Sequence, residues 1–230
     1  QLLPAAGHSI RIGITGIPGA GKSTLIERLG IQALNSGHKV AVLTVDPSSE
    51  KSGGSILGDK TRMTLLAANP QAFVRPSPAG VTRGGIAART RECVYLCEAA
   101  GFDLVIVETI GVGQVELAVA GITDILLLLL LPGTGDELQG MKRGSMELAD
   151  LVLVNKADGP LRNVALATVA DYRQALRLTR QPRPGEGVEV IAVSALEDQG
   201  IAEVLKKLFQ LHQKRRESGA LAARRAEQCR

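Results

Sequence analysis

Short apolar runs alternate with longer amphipathic stretches along almost the whole chain. The apolar runs have the length and composition of strands buried in a parallel sheet, and they lie near residues 12–15, 39–45, 72–75, 103–107, 123–131, 151–154 and 188–193. The amphipathic stretches are predicted helices, and they lie near residues 22–36, 59–68, 86–100, 113–116, 136–148, 162–178 and 200–216. Strands that alternate with helices predict an α/β fold of three layers, with a mostly parallel central sheet and helices on both faces.

The segment between the first predicted strand and the first predicted helix reads RIGITGIPGAGKST. Its second half fits G-x-x-x-x-G-K-S, the phosphate-binding loop (P-loop) of nucleoside triphosphatases. Glycines let such a loop turn tightly, so that its N–H groups and the helix N-terminus face the phosphates. We expect Lys22 to contact the β- and γ-phosphates and the Ser23 hydroxyl to bind Mg²⁺. The predicted phosphate-binding residues are Gly16, Ile17, Pro18, Gly19, Ala20, Gly21, Lys22, Ser23 and Thr24.

A second motif, N-K-x-D, follows the predicted strand 151–154 and comprises Asn155, Lys156 and Asp158. The Asp158 carboxylate can accept hydrogen bonds from N1 and the exocyclic amine of guanine, whereas adenine offers the wrong donors. The stem of Lys156 can cover the base. The residues after the last predicted strand, Ser194, Ala195 and Leu196, complete the pattern. Together with the P-loop, these residues predict that the ligands are GTP and GDP.

A third motif, Glu108-Thr109-Ile110-Gly111, stands where nucleotide switches carry an acid, two spacers and a glycine. Glu108 is predicted to reach Mg²⁺, and the N–H of Gly111 to meet the γ-phosphate. Val112 stands where many small GTPases place a water-orienting Gln, so intrinsic hydrolysis should be slow. The candidates for supplying that function instead are Gln114, Glu116, Asp46 and Asp59.

Composition limits the number of domains, the kinds of partner and the cellular location that are expected. A chain of 230 residues fits one large α/β domain. Aromatic residues make up only 2%, which argues against a stacking platform for nucleic acid, and the basic residues after position 213 are interpreted as a solvated helix end. The longest apolar run is too short for the roughly 20 residues that span a bilayer. With three cysteines and no signal peptide, the predicted location is the cytoplasm, or the mitochondrial matrix in a eukaryote. Cys93 and Cys97 are interpreted as core residues.

Five segments together resemble the MeaB/ArgK family of P-loop GTPases, which includes the methylmalonic aciduria type A protein. They are DPSSEKSGGSILGDKTRM at 46–63, RPSPAGVTRGG at 75–85, ETIGVGQVE at 108–116, LPGTGDELQGMKRG at 131–144 and NKAD at 155–158. The resemblance covers almost all of residues 10–217. It implies a GTPase chaperone of an adenosylcobalamin-dependent acyl-CoA mutase, chiefly methylmalonyl-CoA mutase, that gates cofactor loading and protects the mutase. It also implies a homodimer.

The resemblance also implies roles for individual residues. It implies Mg²⁺ ligation around Ser23 with Asp46, Asp59 and Glu108, and two switch segments within 47–62 and 109–117. A third segment is implied to couple nucleotide state to the partner, and its residues, with Gln114, are Gly135, Asp136, Glu137, Gln139, Lys142 and Arg143. The catalytic set is then Lys22, Asp46, Asp59, Glu108 and Gly111. Residues 1–217 are assigned to the GTPase domain, and the basic residues 218–230 to the start of a dimerisation arm.

This sequence departs from the family pattern at Ile110, at Val115 and in the interrupted loop 79–81. Serine hydroxyls that family members carry in these segments are missing here, so their hydrogen bonds are not expected.

Three other functions stay open. A nickel or zinc metallochaperone would need a His-rich tract or a Cys-x-x-Cys, and the sequence has neither. A kinase would need a phosphoacceptor pocket. A non-catalytic nucleotide-dependent scaffold is compatible with Val112.

Overall fold

The computed structural model describes residues 6–46, 63–78, 85–109, 114–133, 143–179 and 187–228. Their strands form one sheet of seven, in the order β3-β2-β4-β1-β5-β6-β7, and every neighbouring pair is parallel. The strands are β1 (Ile10–Gly16), β2 (Val40–Asp46), β3 (Ala72–Pro78), β4 (Leu104–Thr109), β5 (Ile125–Leu130), β6 (Leu151–Val154) and β7 (Glu189–Ala192).

Helices cover both faces of this sheet. The described helices are α1 (Lys22–Asn35), α2 (Thr64–Ala67), α3 (Gly85–Ala99), α4 (Gln114–Ala120), α5 (Arg143–Leu148), α6 (Arg162–Thr179), α7 (Ile201–Glu217) and α8 (Ala220–Gln228), with a 3₁₀ turn at Gly159–Leu161. On one face α1, α2 and α7 share a core with β1. On the other face α3 and α4 form one core, and α6 forms a second. The predicted three-layer α/β fold is confirmed.

The centre of the sheet is apolar on both sides. All residues of β5 are buried, as the uninterrupted run of Ile and Leu predicts for a strand covered on both faces. β1 lies between β4 and β5, so that its carboxyl end, Gly16, delivers the P-loop at the middle of the sheet edge. No helix among the described residues is long and apolar enough to cross a membrane.

Several predicted elements differ in their boundaries from those observed, among them two helices and one strand. The helix expected over 59–68 is the single turn Thr64–Ala67, with 59–62 outside the described residues. The third strand continues from the predicted 72–75 to Pro78, because β2 pairs with it along its whole length. The helix expected over 136–148 begins, within the described residues, at Arg143.

Only part of the basic C-terminal stretch forms the solvated helix end that the sequence suggested: Lys214 and Arg216 are exposed, but Arg215 and Arg225 are not. Arg215 is 4% exposed and donates to Asp150 Oδ1 at 2.6 Å. Arg225 donates from Nε and Nη2 to Asp124, at 2.8 and 2.6 Å, and from Nη2 to Ser9 O at 2.7 Å. The prediction was wrong for these arginines because buried carboxylates at the amino ends of β5 and β6 take up their charge.

The same carboxylates fix the last helix against the body of the domain. Arg224 donates to Thr123 O at 3.0 Å, and Gln228 donates to the same carbonyl at 2.9 Å. Asp124 is fully buried and also accepts from the N–H of Arg11 at 2.9 Å. α8 therefore packs on the amino edge of the sheet, opposite the P-loop. The role of residues 218–230 in dimerisation stays a prediction.

Candidate functional site

The motifs found in the sequence meet at the carboxyl edge of the sheet. Gly16 ends β1, Glu108 and Thr109 end β4, Asn155 follows β6, and Ser194 follows β7. In an open parallel sheet this edge, at the point where strand order reverses on either side of the first strand, is where ligands bind. The topology therefore brings together residues that lie far apart in the sequence.

Lys22 holds the P-loop in shape. Its Nζ donates to Gly16 O at 2.8 Å and to Ile17 O at 3.1 Å, and the residue is 7% exposed. α1 begins at Lys22 after Gly21, whose φ of 89° is left-handed and favours glycine. The loop thus places the ammonium group next to the N-terminus of α1, the end of a helix that favours anions.

A hydroxyl and a carboxylate stand next to the P-loop lysine. Ser23 Oγ lies 3.3 Å from Glu108 Oε1 and donates to it. Glu108 is 4% exposed at the end of β4. Beneath them Thr109 donates its hydroxyl proton to Thr15 Oγ1 at 3.0 Å, which ties the ends of β4 and β1 together. Oxygen ligands of this kind suit Mg²⁺.

Asn155 joins the phosphate side of the site to the base side. Its Nδ2 donates to Ala20 O at 2.8 Å, and its Oδ1 accepts from the N–H of Ala195 at 3.0 Å. A Cβ at position 21 would stand 2.5 Å from Asn155 Nδ2, so only glycine allows this approach. The side chain of Asn155, 2% exposed, therefore connects the loops after β1, β6 and β7.

Asp158 is oriented by a buried hydroxyl. Ser194, which is fully buried, donates to Asp158 Oδ1 at 2.6 Å, and its Oγ accepts from the N–H of Glu197 at 3.1 Å. Lys156 adopts a left-handed φ of 60° and is exposed, while Leu196 is 70% exposed. The carboxylate, the lysine stem and the loop after β7 are thus close neighbours around the position expected for a base.

Several predicted site residues lie outside what the structure describes. Asp46, Gln114 and Arg143 are placed in β2, α4 and α5 by their backbones, without a description of their side chains. The others fall outside the described residues altogether: Asp59, Gly111, Gly135, Asp136, Glu137, Gln139 and Lys142. Their roles stay predictions.

The sequence analysis missed two residues of α1 that contact the loop after β7. Arg28 donates from Nε to Ala195 O at 3.3 Å and from Nη2 to Leu196 O at 3.5 Å. Gln32, one turn further along, donates to Asp198 Oδ1 at 2.9 Å. Residues i and i+4 share a helix face, which is the only sequence signal that could have linked them to each other.

Cys93 and Cys97 behave as core residues. Cys97 is 5% exposed, and burial, followed by the neighbouring Cys93, raises the pKa of its thiol to about 11. The described part of the chain contains no group of three His, Cys, Asp or Glu side chains placed to hold a metal ion.

The parallel sheet, the P-loop between β1 and α1 and the N-K-x-D motif after β6 define the class of P-loop GTPases. Within that class, the chain belongs to the family described as methylmalonyl Co-A mutase-associated GTPase MeaB, whose family model matches residues 1–230. The protein is accordingly a GTPase, and the resemblance found in the sequence is confirmed.

Curated relatives agree with this assignment. The chain is 52% identical over 228 residues to a putative GTPase of Caulobacter vibrioides, covering 99% of this chain and 70% of the relative. It is 47% identical to the GTPase ArgK of Escherichia coli, covering 99% of this chain and 69% of the relative. It is 47% identical to the mitochondrial methylmalonic aciduria type A homolog of Mus musculus, covering 96% of this chain and 53% of the relative.

Solved structures support the same fold. A crystal structure described as an LAO/AO transport system kinase superposes with a TM-score of 0.83 at 38% identity, covering 99% of this chain and 67% of that one. HypB from Helicobacter pylori, solved in complex with nickel, superposes with a TM-score of 0.65, covering 94% of this chain and 90% of that one. At 17% identity, that second likeness concerns the fold alone.

Proposed function

We propose that this GTPase is a chaperone of an adenosylcobalamin-dependent acyl-CoA mutase of the methylmalonyl-CoA type, and that it gates cofactor loading and protects the mutase. The observation that carries the proposal is the match of the whole chain to a family described as mutase-associated. The methylmalonic aciduria homolog of mouse, similar over 220 residues, supports the same partner. A homodimer, and a location shared with the mutase in the cytoplasm or the mitochondrial matrix, belong to the proposal.

Guanine is the base that the site fits. Asp158 presents a carboxylate whose Oδ1 already accepts from Ser194 at 2.6 Å, which leaves Oδ2 and the remaining lone pairs to accept from the N1 and amino protons of guanine. Adenine would bring an acceptor to that carboxylate and leave it unpaired. Lys156, exposed beside Asp158, covers the ring with its stem.

The phosphates and Mg²⁺ fit the other half of the site. Lys22 and the N–H groups at the start of α1 bind the β- and γ-phosphates. Mg²⁺ would be held by the Ser23 hydroxyl and the Glu108 carboxylate, which lie 3.3 Å apart, with Asp46 at the end of β2 and Asp59 completing the set. The ion supplies charge neutralisation as the γ-phosphoryl group leaves.

Turnover is proposed to be slow in the isolated protein and faster with the mutase. Val112 cannot orient water, and the candidates to supply that function are Gln114, Glu116, Asp46 and Asp59, acting together with the partner. Residues 135–143 are proposed to couple the nucleotide state to the mutase. They follow Gly133, whose N–H donates to Thr168 Oγ1 at 2.9 Å and so fixes where that segment starts. A γ-phosphate can shift the conformational equilibrium of such a segment only if it binds one conformation more tightly than the other.

The test uses Asp158→Asn to move the protein from guanine to xanthine nucleotides. An amide at 158 can donate to the C2 oxygen of xanthine but no longer accepts from both guanine donors. We expect GTP affinity to fall by about 2–5 kcal/mol, the cost of removing one partner of a buried charged hydrogen-bond pair, and XTP to become the preferred substrate. Turnover of GTP and of XTP is measured for both proteins, alone and with an adenosylcobalamin-dependent acyl-CoA mutase.

Stimulation by the mutase should appear with GTP in the wild type and with XTP in the variant. That exchange excludes a contaminating GTPase as its source. A double variant, Lys142→Ala with Arg143→Ala, should keep basal turnover and lose the stimulation. The chaperone proposal is wrong if the mutase neither binds nor changes turnover, and the guanine site is wrong if wild type binds ADP as tightly as GDP.

A further inference from the structure

Helix α1 touches both ends of the nucleotide site. At its N-terminus it carries Lys22 and Ser23, which face the phosphates. Six residues further on it carries Arg28, whose guanidinium reaches the carbonyls of two residues in the loop after β7. At 1.5 Å per residue the two positions are about 9 Å apart along one rigid helix. The same element therefore sets the distance between the phosphate loop and the base loop.

The contacted loop, residues 194–199, is closed on itself. Ser194 and Gln199 exchange backbone hydrogen bonds at 3.1 and 2.9 Å, and Asp198 holds a left-handed φ of 58°. A closed loop keeps its shape but needs outside contacts to fix its direction. On its inner side those contacts come from Asn155, which accepts from Ala195 N, and from the Asp158 carboxylate bound to Ser194.

On the outer side the contacts come from α1. Arg28 binds Ala195 O at 3.3 Å and Leu196 O at 3.5 Å, and Gln32 binds Asp198 Oδ1 at 2.9 Å. The peptide planes of these loop residues are thus held from both sides. When Ala195 O is held on the outside, the N–H of the same peptide, that of Leu196, points to the inner side, because the N–H and C=O of a planar peptide point in opposite directions. The N–H opposite Leu196 O belongs to Glu197 and donates to Ser194 Oγ, which keeps the loop closed.

We propose that Arg28, assisted by Gln32, is a positioning residue for guanine recognition: it holds the 194–199 loop so that the backbone N–H of Leu196 meets the O6 edge of the base. The proposal deepens the guanine site described above and rests on it. Arg28 bonds the carbonyls of Ala195 and Leu196 and is proposed to act on the base only through them. Its effect is exerted on affinity for the base, through the loop, and not on the chemistry at the γ-phosphate.

The test compares Arg28→Ala, Arg28→Lys and Gln32→Ala with a control, Glu27→Gln. Glu27 is the neighbour of Arg28 on α1, but its Oε1 accepts from Leu65 N in α2, away from the base loop. Binding of GDP and of inosine diphosphate is measured for each folded variant by calorimetry. Inosine keeps O6 but lacks the 2-amino group. Comparing the two ligands therefore separates the contact between O6 and the loop from the contact between the 2-amino group and Asp158.

Arg28→Ala should weaken GDP and inosine diphosphate alike, by about five- to twentyfold, the size of one partly exposed charge-assisted hydrogen bond. The ratio between the two ligands should stay that of the wild type, because Asp158 still reads the amino group. Arg28→Lys should recover part of the loss, since an ammonium can bond one carbonyl but not both. KM for GTP should rise while kcat stays unchanged, and Glu27→Gln should match the wild type.

Two results would overturn the proposal. One is a GDP affinity of Arg28→Ala within twofold of the wild type. The other is a fall of kcat together with affinity that Arg28→Lys does not recover, which would make Arg28 a general support of the fold. A wild type that binds no guanine nucleotide would instead overturn the guanine site itself, so the two failures are distinguishable.

Discussion

Replacing Asn155 by alanine tests whether one buried amide joins the two halves of the site. In the native protein the side chain bonds Ala20 O at 2.8 Å and Ala195 N at 3.0 Å. Ala20 is 0% exposed and Ala195 is 2% exposed, so neither partner has solvent to replace what is lost. The substitution leaves one buried acceptor and one buried donor unpaired.

Each unpaired group costs about 1–3 kcal/mol, so the two together should lower the free energy of unfolding by about 2–6 kcal/mol. The loop after β7 also loses its inner support, so we expect GDP affinity to fall by about tenfold. At a GDP concentration of about 100 times the wild-type dissociation constant, the ligand stabilises the wild type by about 2.7 kcal/mol. The variant should gain only about half of that.

Urea unfolding with and without GDP measures both quantities in the same experiment. The matched control is Asn69→Ala, the same truncation at a half-exposed turn where the amide accepts a single local bond from Gln71 N at 2.9 Å. The control should lose less than about 1 kcal/mol and keep the full effect of GDP. If Asn155→Ala matches this control in both respects, the amide does not connect the two loops and the reasoning is refuted.

Three further predictions concern other parts of the molecule. Glu108→Ala should keep GDP binding and lower GTP turnover by more than about tenfold, because the hydroxyl of Ser23 would be left without its carboxylate partner in holding Mg²⁺; equal turnover would remove it from the site. Burial, together with the positive charge of nearby arginines, lowers the pKa of His212 below its usual 6.5, although Asp124 acts in the opposite direction. The free energy of unfolding measured in urea should therefore fall as the pH drops below 6.5, and His212→Gln should abolish that part of the pH dependence. Arg225→Ala should cost about 2–4 kcal/mol by removing the arginine that pairs with the buried Asp124 carboxylate, whereas the exposed Arg216→Ala should stay within about 0.5 kcal/mol. Similar costs for the two variants would contradict the assigned ion pair.

The fold was predictable because its signals are local and repeated. The run from Ile125 to Leu130 is apolar at every position, which is compatible with a strand covered on both faces and with little else. Motifs of fixed spacing predicted the placement of Lys22, Asn155 and Asp158 in the same way, since each follows a strand that must end at the same edge. The family resemblance followed from those motifs.

Contacts between distant side chains could not be predicted. Nothing in the sequence around Arg225 indicates that its partner is Asp124, 101 residues away, or that this carboxylate is buried. Clustered arginines are usually solvated, and only the folded structure shows that a buried carboxylate lies at the amino end of a strand. The contact of Arg28 with the loop after β7 was missed for the same reason. Arg28 belongs to no motif, and its partners are backbone carbonyls, which every residue has.

The charged residues at the two edges of the sheet therefore have different roles: those at the carboxyl edge are proposed to bind the ligand, and those at the amino edge pair with one another. At the carboxyl edge lie Lys22, Ser23 and Glu108, which we propose to bind phosphate and metal. At the amino edge, Asp124 and Arg225 are joined by two hydrogen bonds shorter than 3 Å. Substitutions at the amino edge should act on stability, and substitutions at the carboxyl edge on binding and turnover. Because the two groups lie at opposite edges of the sheet, variants combined from both edges should show additive effects on the free energy of unfolding.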